Sequence, residues 1–394
     1  MAKKVRHPLS YFRDGSWLRM KKKPCSVGKQ TIRTVDLFAG CGGLSLGIGE
    51  ACRRMKFKHK IELALEWDQG ALDILEYNLN PAHTICGDIL DHIDGKLGAK
   101  KLTKCERTLI NNYPNILNVD ILSGGPPCQG YSNLNNHTRG DDDRNELYLR
   151  MVRAAEILEP VSVIIENVQA VTRSKSQVVQ RAVKHLRKIG YNVDAKVMKG
   201  VENGVPQMRK RHFLLASRDH EVDFELIKSI PTKQNRTLKW AIDDLKYLNG
   251  KRKDKFSVAN QANKENQDRM NWLVENDEYV LPDHLRPKCH QNGHTYPAVY
   301  GRMYWNKPSP TITSGFMCNG RGRFTHPFAY PARTLSPHEA ARVQTFPDWF
   351  DFNTEKRSII TKTLGNAVPP ILAMNVTFLL FHSLNNAIHP MVMK

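Results

Sequence analysis

Short apolar runs alternate with longer amphipathic stretches over the first half of the chain. The runs are rich in β-branched residues and end in turn residues: "TIRTVDLFAG", "IELALEWD", "NVDILSGGPP", "VSVIIENV" and "RHFLLAS". Runs of this length and composition are typical of buried parallel strands. Helix-length stretches such as "GLSLGIGEACRRM", "GALDILEYNL", "ELYLRMVRAAEILEP" and "SQVVQRAVKHLRKIG" separate them. The pattern predicts a doubly wound α/β sheet, whose ligands bind at the carboxyl ends of the strands.

The alternation stops after Asp219. Residues 220–330 are polar and irregular, with mixed basic, aromatic and turn residues as in "MYWNKPSPTITSGFMCNGRGRF". Helical patterning returns in "SPHEAARVQTFP", where Ser336 is a good N-cap and Glu339 its capping-box partner. The apolar stretch "TLGNAVPPILAMNVTFLLFHSL" predicts one helix that packs back onto the first domain. We therefore expect a basic N-terminal arm (1–30), a first domain (31–219), a second, smaller domain (220–330) and a returning C-terminal segment (331–394).

Composition adds a partner to this picture. The 394 residues include 59 Lys and Arg against 39 Asp and Glu, a net charge of +20. This balance favours a polyanion such as nucleic acid, with an anionic membrane as the rival. We find no apolar run of 18 residues and no secretory pattern, and so expect an intracellular protein without a membrane partner. The arm, with "RMKKKP" at its centre, is predicted to be mobile and either to contact phosphates or to be a solubilising tail.

The eight cysteines are scattered and form no CxxC pair. This scatter disfavours a disulfide framework or a structural zinc site. Each cysteine is therefore interpreted singly, either as a reactive thiol or as a packed side chain. The segment "CHQNGHTY" is the nearest thing to a metal cluster, and it lacks a second ligand pair. We therefore predict no metal.

The stretch "DLFAGCGGLSLG" places Gly40, Gly42 and Gly43 between a predicted strand and a helix. Such glycines let a ligand approach the backbone at a helix N-terminus. Ser45 occupies the place of the third glycine of a GxGxxG motif, which weakens a dinucleotide interpretation. A plain tight turn between strand and helix is the alternative.

Polar residues follow the next two predicted strands. Glu66 ends the second, the usual position of an acid that binds ribose hydroxyls, and Trp67 beside it can stack on a purine. Asp88 follows a third strand and can accept a hydrogen bond from an adenine amino group. These three side chains suit a cofactor that contains adenosine.

Cys128, in "VDILSGGPPCQGYS", follows another predicted strand. Pro126 and Pro127 before it fix φ and remove two backbone donors. A lone cysteine is more often a small buried hydrophobe than a nucleophile. A core cysteine would not need a Gly-Gly-Pro-Pro lead and a polar loop behind it, so we interpret this thiol as aimed at a substrate.

Two further motifs carry charge to the same region. Glu166 follows the apolar run of "VSVIIENV", and a buried glutamate is costly unless it is paired or protonated. Gln207, Arg209 and Arg211 alternate in "GVPQMRKRHFLLAS". On an extended segment they share one face and would suit a clamp for a phosphate and a base carbonyl.

Eight motifs between Thr34 and about Val376 resemble, in their residues and in their order, those of the cytosine-5 DNA methyltransferase family. They are "DLFAGCGGLSLG", "EWD", "GDI", "GGPPCQGYS", "ENV", "QMRKR", "RTLSPHEAARVQTFP" and "GNAVPP". The resemblance implies a Rossmann-like methyltransferase sheet, S-adenosyl-L-methionine as cofactor, and a target-recognition domain in residues 220–330. It implies double-stranded DNA as the partner.

The resemblance also implies roles for individual residues. Cys128 is similar to the covalent nucleophile and Pro127 to its positioning partner, and Glu166 to the glutamate that binds the amidine edge of cytosine. Arg209 and Arg211 resemble the pair that steadies the base and its phosphate, and Gln207 belongs to the same motif. The expected cofactor-binding positions are Phe38, Ala39, Gly40, Gly43, Glu66, Trp67, Asp88, Ile89, Leu147 and Asn366. The expected DNA-recognition positions are the pair Thr311 and Ile312 in "PTIT" and the arginines Arg302, Arg321 and Arg323, suited to guanine edges.

The expected chemistry needs the thiol and a flipped base. Carbon 5 of cytosine is too weak a nucleophile to attack a methyl group, so a thiolate must first add at carbon 6. The base has to leave the stacked duplex, at a cost of a few kcal/mol. The polar stretch "NLNNHTRGDDDRNE" is predicted to be a mobile loop that closes over it.

Other functions stay open on the sequence alone. A structured RNA such as tRNA is the nearest rival substrate, and a catalytically silent DNA-binding homologue is the rival from another class. A nicotinamide-linked oxidoreductase is disfavoured by the missing GxGxxG. We expect a monomer of prokaryotic restriction-modification type, cytoplasmic and associated with the nucleoid. A companion restriction endonuclease would act on the same site without a stable complex.

Overall fold

The protein is described by a computed structural model. It covers residues 16–26, 28–127, 146–229, 236–245, 256–291, 298–354 and 356–388. Seven strands form one sheet: β1 Thr31–Leu37, β2 Lys58–Glu66, β3 Thr84–Cys86, β4 Ile121–Gly124, β5 Ser162–Val168, β6 Asn192–Lys199 and β7 Lys210–Ser217. Their order across the sheet is β3-β2-β1-β4-β5-β7-β6. This confirms the predicted doubly wound α/β fold.

The direction of β7 differs from the prediction. Strands β1 to β5 pair in parallel, but β7 is antiparallel to both β5 and β6. An apolar run such as "RHFLLAS" predicts burial on both faces and carries no information on direction. Residues 200–209 join β6 to β7 without a crossover helix, which only an antiparallel pair allows. The sequence analysis missed β6 because this edge strand is mostly half-buried and lacks an apolar run.

Helices cover both faces of the sheet. Their bounds are α1 Gly43–Arg54, α2 Gln69–Leu79, α3 Lys104–Asn112, α4 Leu147–Leu158, α5 Val178–Lys188, α6 Leu238–Ile242, α7 Lys264–Glu275, α8 Pro337–Val343, α9 Arg357–Asn366 and α10 Pro370–Ile388. Successive strand residues point to opposite faces. In β4, Ile121 joins the core under α1 and α10, whereas Leu122 joins the core under α4 and α5. The four helices predicted between strands are present, and α3 was not predicted.

The C-terminal segment begins as predicted and then departs from the prediction. Ser336 accepts from the backbone N–H of Glu339, and the Glu339 carboxylate accepts from that of Ser336, which confirms the capping box. The apolar stretch after it is two helices, because Pro369 and Pro370 cannot donate to a continuing helical ladder. The stretch Arg357–Phe381 has the length and composition of a membrane span, but 94% of its apolar window is buried inside the protein. It is therefore explained as core.

The region 220–330 has little regular structure. Its described part contains α6, α7, short 3-10 helices and isolated bridges, with no strand. Its buried residues Met303, Ile312 and Phe324 belong to the same apolar cluster as α1 and α10. The boundary of a second domain at this region stays a prediction.

Residues 16–26, which we call the N-terminal strap, pack against the C-terminal segment. Trp17 and Leu18 are 3% and 0% exposed, and the Trp17 indole donates to the carbonyl of Thr345 at 2.9 Å. The prediction of a mobile arm is therefore wrong for Trp17 and Leu18, since the surrounding charges concealed an apolar anchor, and it stays a prediction for the mostly exposed residues after them. Residues 1–15 lie outside the described part of the chain.

Candidate active site

The ends of six strands and the beginning of a seventh meet at one edge of the sheet, which we call the catalytic edge. Strands β1 to β6 end there, and β7, being antiparallel to β5 and β6, begins there. Arg211 in β7 is directly opposite Val168 in β5. The reversed direction of β7 is therefore what brings the "QMRKR" motif beside the "ENV" motif.

The glycine loop leaves β1 at this edge. Phe38, Gly40 and Gly42 have φ of 55°, 55° and 83°, which turns the chain sharply into α1. The Gly40 N–H donates to Glu66 Oε2 at 2.8 Å. A Cβ at Gly40 would meet no atom within 4 Å, so a ligand has room to approach the backbone there. The ligand-binding interpretation of this loop stays a prediction, as does the plain-turn alternative.

Other positions expected to hold the cofactor have different surroundings. A Cβ at Gly43 would lie 2.4 Å from the Val368 carbonyl oxygen, so this glycine serves helix packing. Ile89 is 2% exposed and belongs to the core under α4, and Ala39 is 8% exposed. Leu147 begins α4 half-buried, and Asn366 ends α9 exposed. Of these five, Leu147 and Asn366 retain surface toward a ligand.

Glu66, Trp67 and Asp88 lie on two neighbouring strand ends. Burial raises the pKa of the Glu66 carboxyl, which accepts from the N–H groups of Gly40 and Asp68. The Trp67 side chain is 69% exposed. Asp88 is exposed and accepts from the Leu90 N–H at 2.9 Å. The donor and acceptor set, an open glycine and an exposed indole fit an adenosine-containing ligand.

A buried acid beneath the glycine loop was missed by the sequence analysis. Asp36 accepts from the hydroxyl of Ser45 at 2.6 Å and from that of Ser123 at 3.0 Å. Burial raises the pKa of Asp36 to about 7, and the nearby Glu66 adds to the shift. Ser45 is the residue that breaks the GxGxxG pattern, and this departure was the available signal. The three side chains connect β1, α1 and β4 behind the site.

Glu166 and Arg211 form an ion pair at the catalytic edge. The Arg211 Nε lies 2.8 Å from Glu166 Oε1, and the Glu166 side chain is 9% exposed. Burial raises the pKa of the Glu166 carboxyl, and the positive charges of Arg211 and Arg209 oppose that shift without cancelling it. A carboxyl of this kind can donate as well as accept a hydrogen bond.

The Pro-Pro loop lies against this carboxyl. A Cβ on Gly125 would be 3.4 Å from Glu166 Oε2, and Asn167 Nδ2 donates to the Pro126 carbonyl at 3.2 Å. Pro127 is the last residue described in this loop, and Cys128 lies outside the described residues. The described part of this loop therefore ends beside Glu166.

Gln207 and Arg209 do not share the exposure of Arg211. Both are 0% exposed. Gln207 Oε1 accepts from the N–H of Ile312 at 2.9 Å, and Arg209 donates to the carbonyl of Ile312 at 3.0 Å. The expectation that Arg209 steadies a phosphate is corrected, because its guanidinium serves buried backbone carbonyls. Ile312 is itself 0% exposed, so its side chain is core.

The arginines expected to read bases also separate. Arg302 is 3% exposed and donates to the Pro327 carbonyl at 2.8 Å and to Asp277 Oδ1 at 2.8 Å. Arg323 is half-buried and donates to the Arg302 carbonyl at 3.0 Å. Arg321 is exposed. Of the three, Arg321 alone presents its side chain openly to solvent, and the expectation for Arg302 is corrected.

Metal chemistry has no visible site in the described ranges. Among these residues no group of three His, Cys, Asp or Glu side chains is arranged to hold an ion.

The sheet order and this edge define the class of doubly wound α/β methyltransferases. The profile of C-5 cytosine-specific DNA methylases matches residues 32–381. The chain therefore belongs to the C-5 cytosine-specific DNA methylase family.

Two bacterial relatives are similar in sequence to this chain along most of their length. The chain is 41% identical to Type II methyltransferase M1.BsuMI of Bacillus subtilis, over 91% of this chain and 83% of the relative. It is 30% identical to Type II methylase M.HgiDII of Herpetosiphon aurantiacus, over 86% of this chain and 92% of the relative. A solved E. coli prophage protein, described as a candidate DNA modification methyltransferase, has a TM-score of 0.65 at 24% identity. That match covers 90% of this chain and 99% of the other, and supports the fold alone.

Proposed function

We propose that this protein methylates carbon 5 of cytosine at a specific site in double-stranded DNA. The observation that carries the proposal is the Pro126–Pro127 loop, which leads into Cys128 from beside the paired carboxyl of Glu166. The Type II names of its bacterial relatives support DNA over a structured RNA as substrate.

S-adenosyl-L-methionine is the expected methyl donor, since the C-5 cytosine-specific DNA methylase family uses this cofactor. Glu66 would bind the ribose hydroxyls, Trp67 would cover the adenine face and Asp88 would accept from the adenine amino group. The open backbone at Gly40 leaves room for the amino-acid end, and Asn366 and Leu147 would close the site. The bound cofactor supplies an electrophilic methyl group carried on a sulfonium.

Glu166 and Cys128 act on the flipped cytosine. A carboxyl with a raised pKa donates its proton to ring nitrogen 3 and accepts from the exocyclic amine. This withdraws charge while the Cys128 thiolate forms a bond to carbon 6. Carbon 5 would then take the methyl group, and the donor sulfur would leave as a neutral thioether. Loss of the carbon 5 proton to a base, cleavage of the carbon–sulfur bond to Cys128 and return of the nitrogen 3 proton to Glu166 would regenerate the thiolate and the protonated carboxyl.

Arg211 and the Pro-Pro loop are proposed to position these groups. The guanidinium of Arg211 holds the Glu166 carboxyl in place at 2.8 Å and leaves its second oxygen toward Gly125. Pro127 restricts the backbone directly before Cys128.

Transfer of a tritiated methyl group from S-adenosyl-L-methionine tests the proposal. Purified protein is incubated with duplex DNA and, separately, with tRNA. We expect label in DNA at carbon 5 of cytosine, and bisulfite sequencing of DNA from expressing cells will give the recognised site. Label in RNA alone would favour the rival substrate, and cofactor binding without any transfer would favour a silent DNA-binding protein.

The cellular part of the proposal goes beyond the names of the relatives. Two bacterial relatives carry Type II names, and this supports our proposal of a companion restriction endonuclease of the same sequence specificity. We further propose that the protein is a monomer that acts on the nucleoid in the cytoplasm. Digestion of unmethylated but not methylated DNA by source-cell extract would identify the endonuclease. Sedimentation of the protein alone would check the monomer.

A further inference from the structure

The recognition segment, residues 309–314, touches the end of α9. A Cβ at Gly365 would lie 2.1 Å from the backbone N of Ser314 and 2.4 Å from the carbonyl C of Thr313. No side chain fits between them. Gly365 therefore allows the backbone of the recognition segment to lie directly on the last turn of α9, beside Asn366.

Arg209 bonds to both sides of this contact. One Nη atom donates to the carbonyls of Ile312 at 3.0 Å and Gly365 at 3.2 Å, and the other donates to the carbonyl of Asn366 at 3.4 Å. A planar guanidinium presents its donors in a fixed fork, so the spacing between the two segments is set by one side chain.

Two glutamines provide a second connection. Gln207 Oε1 accepts from the Ile312 N–H at 2.9 Å, and its Nε2 donates to Gln344 Oε1 at 2.9 Å. Gln344 in turn donates to the carbonyls of Leu364 and Ala367. Both glutamines are 0% exposed. We call Gln207, Arg209 and Gln344 the buried clamp.

Breaking the buried clamp is costly. A buried donor or acceptor left without its partner destabilises the fold, so movement at Ile312 is transmitted to the end of α9. Thr311 is next to Ile312 and is proposed to face DNA, while Asn366 is proposed to face the cofactor. The clamp thus lies between the two ligands and touches the backbone of both segments.

We propose that the buried clamp positions the recognition segment and the last turn of α9, with Asn366, as one unit, and that these three side chains thereby carry the coupling through which DNA and cofactor strengthen each other's binding. This inference rests on the proposed function, because it assigns DNA to one segment and cofactor to the other. The coupling is reciprocal by thermodynamic necessity.

Arg209→Lys tests the clamp. The Kd of S-adenosylhomocysteine is measured with and without a duplex carrying the site found by bisulfite sequencing. We expect wild-type protein to bind about 5- to 150-fold more tightly when the duplex is present, the range usual for coupled sites. The lysine keeps the charge but lacks the fork, so the ratio should fall to within about twofold of one.

Arg153→Lys is the matched control. Arg153 is also buried, and its partners, the Ala99 carbonyl at 2.8 Å and Glu106 at 2.8 Å, belong to neither segment. Its variant should lose stability and retain the wild-type ratio. An equal loss of ratio in this control would assign the effect to general destabilisation and overturn the clamp.

Gln344→Met decides the matter if Arg209→Lys does not fold. Methionine has a similar volume and removes only the glutamine's hydrogen bonds, so the ratio should fall partway. The inference is overturned if the duplex does not change the Kd of S-adenosylhomocysteine for wild-type protein. It is also overturned if folded Arg209→Lys and Gln344→Met proteins keep the wild-type ratio of Kd values. Neither result would affect the proposed methyl transfer. Absence of methyl transfer by wild-type protein would instead overturn the proposed function.

Discussion

The catalytic edge and the recognition region use polar side chains in opposite ways. At the catalytic edge, Trp67 and Asp88 follow regular strands and project to the surface. In the irregular region 220–330, Arg302 and Arg323 turn inward and donate to backbone carbonyls. A strand pairs its own carbonyls in the ladder, whereas irregular backbone must find donors elsewhere. Arginine, with five donors, supplies them.

The difference changes how arginine in an irregular region should be interpreted. Arg286 repeats the behaviour, since it is 9% exposed and donates to the Leu281 carbonyl at 3.0 Å. Tyr279 and Tyr304, stacked at 4.3 Å between ring centroids, receive Arg302 and Arg323 over their rings. Of the four arginines discussed in this region, three therefore bind backbone carbonyls and only Arg321 is exposed.

The largest effect is expected at Cys128. Replacing it with serine should lower methyl transfer by about a thousandfold or more, because a hydroxyl is a far poorer nucleophile than a thiolate. Tritium transfer to duplex DNA measures this, and DNA binding should persist. Cys25→Ser, at an exposed cysteine of the N-terminal strap, is the control. Near-normal turnover of the Cys128 variant would remove the thiol from the mechanism.

Glu166→Gln should lower the rate about 100-fold or more, since an amide keeps the hydrogen-bond pattern toward cytosine but cannot transfer a proton. Burial raises the pKa of Glu166, so its protonated form persists to higher pH than usual and is lost as pH rises through that pKa. The wild-type rate should decline on the alkaline side of its pH profile. The same decline in the glutamine variant would assign it to another group.

Arg302→Met should destabilise the fold by about 2–3 kcal/mol, because it leaves buried carbonyls without a donor. Urea unfolding measures this change. Residual folded protein should still discriminate between the cognate site and single-base variants. A stable variant with altered site choice would restore the original expectation and break the comparison drawn above.

Arg321→Ala should leave the unfolding free energy unchanged and reduce discrimination of the cognate site by about 1–3 kcal/mol, the contribution of one bidentate contact to guanine. Methylation of the cognate site against single-base variants measures this. Cofactor affinity, measured in parallel without DNA, should stay at its wild-type value. If the discrimination ratio is unchanged, Arg321 does not contact bases in the recognised site.

The last prediction concerns the pH dependence of stability and Asp36, whose effect on methyl transfer is the smallest expected. Its folded pKa of about 7 lies above the usual 3.8, so it stabilises the fold below that usual value and loses this contribution as pH rises through about 7. Ser45, Ser123 and Glu66 are the polar groups that face it. Asp36→Asn should therefore flatten the fall in unfolding free energy between about pH 4 and pH 7. An identical slope in the variant would place the titration elsewhere.

Periodicity was sufficient for the regular half of the molecule. Apolar runs identified β1, β2, β4 and β5, and their ends located Glu66 and Glu166 at the catalytic edge. The direction of β7 was beyond reach because pairing is a long-range property. Asp36 was missed because its partners Ser45 and Ser123 come from two distant elements. The role of Arg209 depends on carbonyls more than 100 residues away, which no local pattern contains.

The N-terminal strap sets a practical limit on how the protein can be shortened or fused. Thr345, next to the clamp residue Gln344, has a φ of 68°, a costly conformation for a β-branched residue. The Trp17 indole holds its carbonyl, and its hydroxyl accepts from the Ile371 N–H at 3.2 Å. An affinity tag or fusion partner should therefore be joined ahead of residue 16. A version trimmed beyond Trp17 would lose one of the two restraints on the peptide that adjoins the clamp.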